Sequence, residues 1–334
     1  MSIILVLIVL CAVAFEFING FHDTANSIAT TVYTKALPVA GAIALAACMN
    51  FLGALMSEGV AKTISSGLVA TTLDDYVILA ALLGAIAWNL FTWWKGIPSS
   101  SSHALIGGLI GASIIFTMGL DGIIWEGVLQ KVVIPMLTSP FIGFVVAYML
   151  MKLIYKLFAS FNYRKTSGVF SKLQIVSAAA VAFAHGTNDA QKTMGIITLA
   201  LFSSGMLVDV GHIPLWVKIV CALTMAAGTS VGGWRIMRTM GHGVTKLDSS
   251  RGFAAEATSA AVIQTMTFLN APISTTQAIT ASVMGVGTAR RISAVKWSKA
   301  KDIVATWFIT FPASMALGAL FVVVIRFLIQ AFAG

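Results

Sequence analysis

The strongest constraint on this chain is a rhythm of long apolar runs, one after another, separated by short connections. About 20 helical residues cross a bilayer's hydrocarbon core, and lipid offers the backbone no hydrogen-bond partners, so such runs are read as helices that satisfy themselves. The charge content agrees: 10% of the 334 residues are charged and 58% are hydrophobic, whereas a soluble domain carries about 25% charged residues. The expectation is an all-α polytopic membrane protein. The first run, Ser2 to Ile18, has no Lys or Arg before it and no A-x-A site after it, so it reads as a retained span, not a cleaved signal. Cys11, Cys48 and Cys221 lie singly in apolar runs, with no metal-ligand or redox spacing.

The net charge of +9 carries orientation here and does not point to nucleic acid, because the basic residues sit in short loops. Fifteen of the 21 fall in four places: Lys35, the stretch from Lys152 to Lys172, that from Arg235 to Arg251, and that from Arg290 to Lys301. The other connections hold Glu58, Asp74, Asp75, Asp121, Glu126 and Asp209 against Lys62, Lys131 and Lys218. The positive-inside rule places the four basic regions in the cytoplasm and both termini outside. Arg251 and Arg290 then lie on one side with only about 38 mostly apolar residues between them, enough for two arms of about 25–28 Å. A hairpin with its tip at Asn270 to Thr276 follows. Tyr76 to Met118 is its counterpart from the other side, turning at Gly96 to Ser102. The arms are either re-entrant or fully spanning; hydropathy allows both.

These features occur twice. Gly20-Phe21-His22-Asp23-Thr24-Ala25-Asn26-Ser27 is echoed by Gly186-Thr187-Asn188-Asp189-Ala190-Gln191-Lys192-Thr193, 166 positions later, and Pro98 by Pro272, 174 positions later. Each half makes an odd number of crossings, so the halves run in opposite directions. The expected plan is two inverted-topology repeats, 1–151 and 173–334, joined by a basic cytoplasmic linker, 152–172, each with a helix broken at its aspartate (Asn19 to Asp23 and Gly186 to Asp189) and a hairpin. Secondary transporters share this plan and place their site near the midplane.

The motifs suit an anion and a cation together. After Pro98 stand Ser100, Ser101 and Ser102; after Pro272 stand Ser274, Thr275 and Thr276. Proline favours a helix's first turn, where unpaired N–H groups and the helix dipole attract anions. Two such ends meeting would hold a tetrahedral oxyanion, although Ser and Thr also serve as plain N-caps. Asp23, Asn26, Asn188 and Asp189 offer oxygen ligands of the kind hard cations take, and Glu256 is a further candidate. Bound cations offset the repulsion between carboxylates and an anion, which makes each ligand favour the other. Lys192 neutralises either Asp189 or the substrate. His22, His103 and His185 carry a proton or fill a polar interior. Asn89 and Gln264, in the incoming arms, support the tips or bond between helices. The aspartates lack the Tyr-Asp and Gly-x-Gly-Asp contexts of membrane aspartyl proteases and no serine has a committed histidine, so an enzyme is not expected; an anion channel would need no cation site.

At these motifs the chain resembles the inorganic phosphate transporter (PiT) family over its whole length, in the form of compact bacterial phosphate permeases. The stretches Asn19 to Asn26 and His185 to Lys192 resemble its paired signature, and Pro98 to His103 and Pro272 to Thr276 its hairpin tips. The resemblance implies alternating-access import of inorganic phosphate with Na⁺ or H⁺, or as a complex with a divalent metal, with no other cofactor. It also implies a cell-membrane homodimer. By position, Asp23, Asn26, Asn188 and Asp189 would serve cations, and Ser100, Ser101, Ser102, Ser274, Thr275 and Thr276 phosphate. Asp23 or Asp189 would also accept the proton that phosphate carries and sulfate lacks. Sulfate permeases belong to the same family, so the anion stays open at this point.

Overall fold

A computed structural model describes residues 2–69, 73–233, 235–237, 239 and 244–333. Met1, Arg238 and Gly334, which bound the expected repeats or belong to a basic region, lie outside them. The chain is all-α: α1 (Ile3–Tyr33), α2 (Val39–Ala54), α3 (Gly59–Ser66), α4 (Asp75–Lys95), α5 (Ser101–Thr117), α6 (Trp125–Leu157, with a π-helical turn at Leu129–Val133), α7 (Tyr163–Ser203), α8 (Leu215–Val231), α9 (Ser249–Phe268), α10 (Thr275–Arg290) and α11 (Trp297–Ala333). Among the described residues five helices are long and apolar enough to cross a membrane, and α2 with α3, bent by 66° at their break, is a broken span or a re-entrant loop. Exposed apolar side chains cover the outer helices, such as Phe141 and Met149 on α6 and Val323 and Phe327 on α11. On a membrane protein that face meets lipid.

The two halves are interlocked. The hairpin α4–α5 packs on α11, the last helix of the other half, and the hairpin α9–α10 packs on α6, the last helix of its own partner half. Likewise α2 packs on α7 and α8 on α1. Equivalent glycines set these crossings. A Cβ on Gly20 would sit 2.7 Å from Met225 O, and one on Gly186 would sit 2.2 Å from Asn50 O. In the hairpins, a Cβ on Gly111 would sit 2.0 Å from Met315 O and one on Gly285 2.3 Å from Phe144 O. These backbones approach too closely for any side chain, as small-residue packing between membrane helices allows. The matched contacts express the inverted repeat in the packing itself.

Two expectations change. The helices do not break at the aspartates: α1 and α7 run unbroken through Asn19–Asp23 and Gly186–Asp189. Gly20 and Gly186 serve close approach, and side chains beside them, among them His22, Asn26, His185 and Asn188, bond to groups on other segments while the helical backbone stays paired. Helix α6 runs on to Leu157 and α7 begins at Tyr163, so both enter the stretch 152–172. The bend lies between α2 and α3. The tips, by contrast, are as expected. Both incoming arms end on a left-handed residue, Gly96 (φ 67°) and Asn270 (φ 56°), two positions before the proline. Glycine has no Cβ to clash in that conformation and asparagine tolerates it.

Candidate functional site

Each tip ends in a capped helix start. The Ser100 hydroxyl accepts from His103 N at 3.2 Å, and the Ser274 hydroxyl accepts from Gln277 N at 3.2 Å. These two serines therefore cap α5 and α10, each satisfying one first-turn donor. The residues after them reach across the molecule. Ser102 donates to Ile273 O at 2.9 Å, which joins one tip to the other. Thr275 donates to Asp189 Oδ2 at 3.1 Å, and Thr276 lies 3.4 Å from Asp23 Oδ1 while accepting from Asn26 Nδ2 at 2.8 Å. Ser101 Oγ is buried and has no hydrogen-bond partner.

The long helices α1 and α7 bring the aspartates to the same place. One carboxylate oxygen each from Asp23 and Asp189, with a ring nitrogen of His185, lie within 4.8 Å of one another. Asp23 is held by His22 Nδ1 at 2.7 Å, and the other His22 nitrogen is 3.1 Å from the Thr92 hydroxyl on α4. His185 Nε2 is 3.1 Å from Asp189 Oδ2, and its Nδ1 is 3.0 Å from Asn50 Oδ1. Lys192 Nζ donates to Asp189 Oδ1, to the Ser102 hydroxyl and, at 2.8 Å, to Ile273 O. The lysine so pairs with a carboxylate and binds the tips at once. Asn188 Nδ2 donates to Thr267 Oγ1 and Ala271 O, while Oδ1 of Asn188 and Oδ1 of Asn26 are buried without a donor. Buried amide oxygens with no donor are the ligands a hard cation uses.

Nothing in this centre exceeds 3% exposure. Carboxylates so far from water persist where partners or cations balance them. The arrangement places two helix N-termini, a set of hydroxyls, two carboxylates and one ammonium around a single buried point. It can hold an oxyanion and a small cation side by side.

Glu256 is not in this centre. It accepts from Thr30 and Thr31 (2.7 Å) on α1 and from Gln174 (3.1 Å) and Ser177 (2.6 Å) on α7, forming a separate fully buried cluster. Glu16 sits toward the other end of α1, buried and bonded to the Thr193 hydroxyl. His103 is buried with neither ring nitrogen bonded, its ring edge against Phe311. Asn89 is buried with no partner for its amide, so it makes no bond to the tips. Sequence reasoning missed Asn50, Thr92 and Thr229, which steady the histidines: Asn50 Nδ2 donates to Thr229 Oγ1 at 2.9 Å. Asn50 carried a readable signal, a lone amide between Met49 and Phe51 in an apolar run. Gln191 was also missed; its Oε1 accepts from Val60 N at 2.8 Å and so caps α3.

Comparison with known proteins fits this geometry. A model of the phosphate transporter family matches residues 19–166 and 158–318. A Bacillus subtilis (strain 168) protein described as a probable low-affinity inorganic phosphate transporter is 49% identical over 321 residues, covering 95% of this chain and 96% of the relative. A Rhizobium meliloti (strain 1021) protein with the same description is 46% identical, covering 95% of each. Among solved structures, one titled the sodium-dependent phosphate transporter superposes with a TM-score of 0.84 at 25% identity, covering 98% of this chain and 100% of that one.

Proposed function

The chain belongs to the phosphate transporter family, and we propose that it moves inorganic phosphate across the membrane by symport with sodium, at the buried centre where its two hairpin tips meet its two aspartates. One observation carries the reading: the N-termini of α5 and α10 converge on Asp23 and Asp189, so an anion site and a cation site share one point. In this assignment Ser100, Ser101, Ser102, Ser274, Thr275 and Thr276, with the first-turn N–H groups beside them, receive phosphate. Asp23, Asn26, Asn188 and Asp189 line the cation region, where Asp189 already holds the Lys192 ammonium. Asp23 or Asp189 also accepts the hydrogen bond that a protonated phosphate donates. Glu256, remote from the centre, is a cation ligand at most along the path to it.

The halves 1–151 and 173–334 act as the two moving bodies, with 152–172 linking them. Because the site is buried from both faces, transport requires the halves to shift and open it to each side in turn. The charge distribution supports external termini, and the family resemblance supports a pair of chains as the unit in the membrane; cross-linking in native membranes checks the pair. The test of the function is labelled phosphate uptake into proteoliposomes, with sodium and pH gradients imposed separately. Uptake driven by an inward sodium gradient is expected. Uptake driven by a pH gradient alone would make the proton the coupling ion, and uptake indifferent to both would exclude symport. If excess sulfate competes as well as unlabelled phosphate, the anion assignment fails while the architecture stands.

A further inference from the structure

The repeat pairs residues of the two halves by position: Asp23 with Asp189, Asn26 with Lys192, and Ser102 with Thr276. The contacts follow that pairing. Asn26 Nδ2 donates to the Thr276 hydroxyl, and Lys192 Nζ donates to the Ser102 hydroxyl. In each half, the residue three positions after the aspartate reaches the second residue of the opposite half's tip helix. The two halves differ in what that residue offers. Asn26 turns a carbonyl oxygen, Oδ1, into the interior with no donor on it. Lys192 turns an ammonium there, 2% exposed.

The surroundings of that ammonium are a carboxylate (Asp189), a hydroxyl (Ser102) and a backbone carbonyl (Ile273, 2.8 Å). These are all oxygen donors, the set a hard monovalent cation takes. We propose that Lys192 is a tethered cation that stands where the second half would otherwise bind a mobile one, so that the protein couples phosphate to one sodium, in the Asp23–Asn26 half, and not to two. This rests on the symport reading above. The charges agree with it: two carboxylates and one ammonium leave a single negative charge, which one sodium cancels before phosphate arrives. The consequence is energetic. A mobile cation brings the free energy of its gradient into each cycle, whereas a tethered one returns with the carrier and brings none. The lysine therefore lowers the concentrating power of the transporter while keeping its anion site neutralised.

Three variants test this by radioactive sodium binding to purified, monodisperse protein and by the sodium dependence of phosphate uptake in proteoliposomes. The wild type is expected to bind about one sodium per chain, with uptake rising with a Hill coefficient of about one. Lys192→Asn, which supplies an oxygen in place of the ammonium, is expected to bind about two, with a steeper sodium dependence. Lys192→Met supplies neither, and its loss of uptake should not be restored by sodium. Asn26→Lys places an ammonium in the remaining half and should abolish sodium binding. The inference is overturned if Lys192→Asn keeps the wild-type sodium count and steepness, if Lys192→Met takes up phosphate as the wild type does, or if Asn26→Lys binds sodium like the wild type. A wild type that carries phosphate but neither binds sodium nor responds to its gradient would overturn the symport reading itself, a result separate from these.

Discussion

At the residue scale the two aspartates have unequal settings. Asp189 accepts from Lys192 and Thr275 and lies beside His185, whereas Asp23 has the His22 imidazole and the more distant Thr276 hydroxyl. Asp23→Asn removes the negative charge that no ammonium matches. Phosphate uptake is expected to fall strongly with the protein still in the membrane, and sodium binding to be lost. Asp189→Asn should also reduce uptake strongly, but by leaving the buried Lys192 ammonium uncompensated, an effect that costs several kcal/mol when one partner of a buried pair is removed. It should therefore also lower thermal stability, which Asp23→Asn should change less. If both variants keep wild-type uptake and cation dependence, the aspartates are not the cation site. Ser102, Thr275 and Thr276 donate or accept across the centre, and replacing Thr275 and Thr276 together by alanine removes two hydroxyls while the backbone N–H groups stay. Each lost hydrogen bond to a charged group costs about 1.5–3 kcal/mol, so apparent phosphate affinity should drop roughly tenfold or more. Titration with labelled phosphate reads the shift, and an unchanged affinity would place the anion elsewhere.

At the element scale the hairpins are held by backbone contact. Gly318 on α11 leaves no room for a side chain: a Cβ there would lie 2.2 Å from Gly108 O on α5. Gly318→Val is expected to push α5 from α11, displace the Ser101–Ser102 tip, and lower both the melting temperature and phosphate affinity. A variant with wild-type values of both would show that this crossing does not position the tip. The hairpins were legible in the sequence because proline, a positive-φ residue and hydroxyls recur together at one offset, and each of those residues has a local backbone reason for its place. The supposed breaks in α1 and α7 were not, because a polar stretch in an apolar run looks the same whether the backbone unwinds or the side chains find partners. Asn50, Thr92 and Thr229 decide that question from other helices, at distances along the chain that no local pattern encodes. The pairing of Asn26 with Thr276 and of Lys192 with Ser102 was hidden for the same reason: the repeat shows which positions are equivalent, and only the fold shows that they cross between halves.

At the scale of the whole molecule the repeat is an exchange of elements between halves, each half's hairpin resting on the other's closing helix around a shared buried point. The basic residues that set the inferred orientation lie at the ends of these helices, so labelling can read it. In a background lacking Cys11, Cys48 and Cys221, a cysteine placed between Asp121 and Gly127 should react with an impermeant thiol reagent from outside, and one placed between Lys246 and Arg251 should not; the reverse pattern would invert the topology. The central claim is that cation and phosphate meet at one point and stabilise each other's binding. Linkage makes that measurable, since a coupling between two ligands must appear with the same factor on both affinities. The direct measurement is equilibrium binding to the purified protein, phosphate affinity at rising sodium and sodium affinity at rising phosphate. The predicted result is that each ligand raises the other's affinity by an equal factor, and that Asp23→Asn removes the effect; affinities that ignore one another would contradict a shared site.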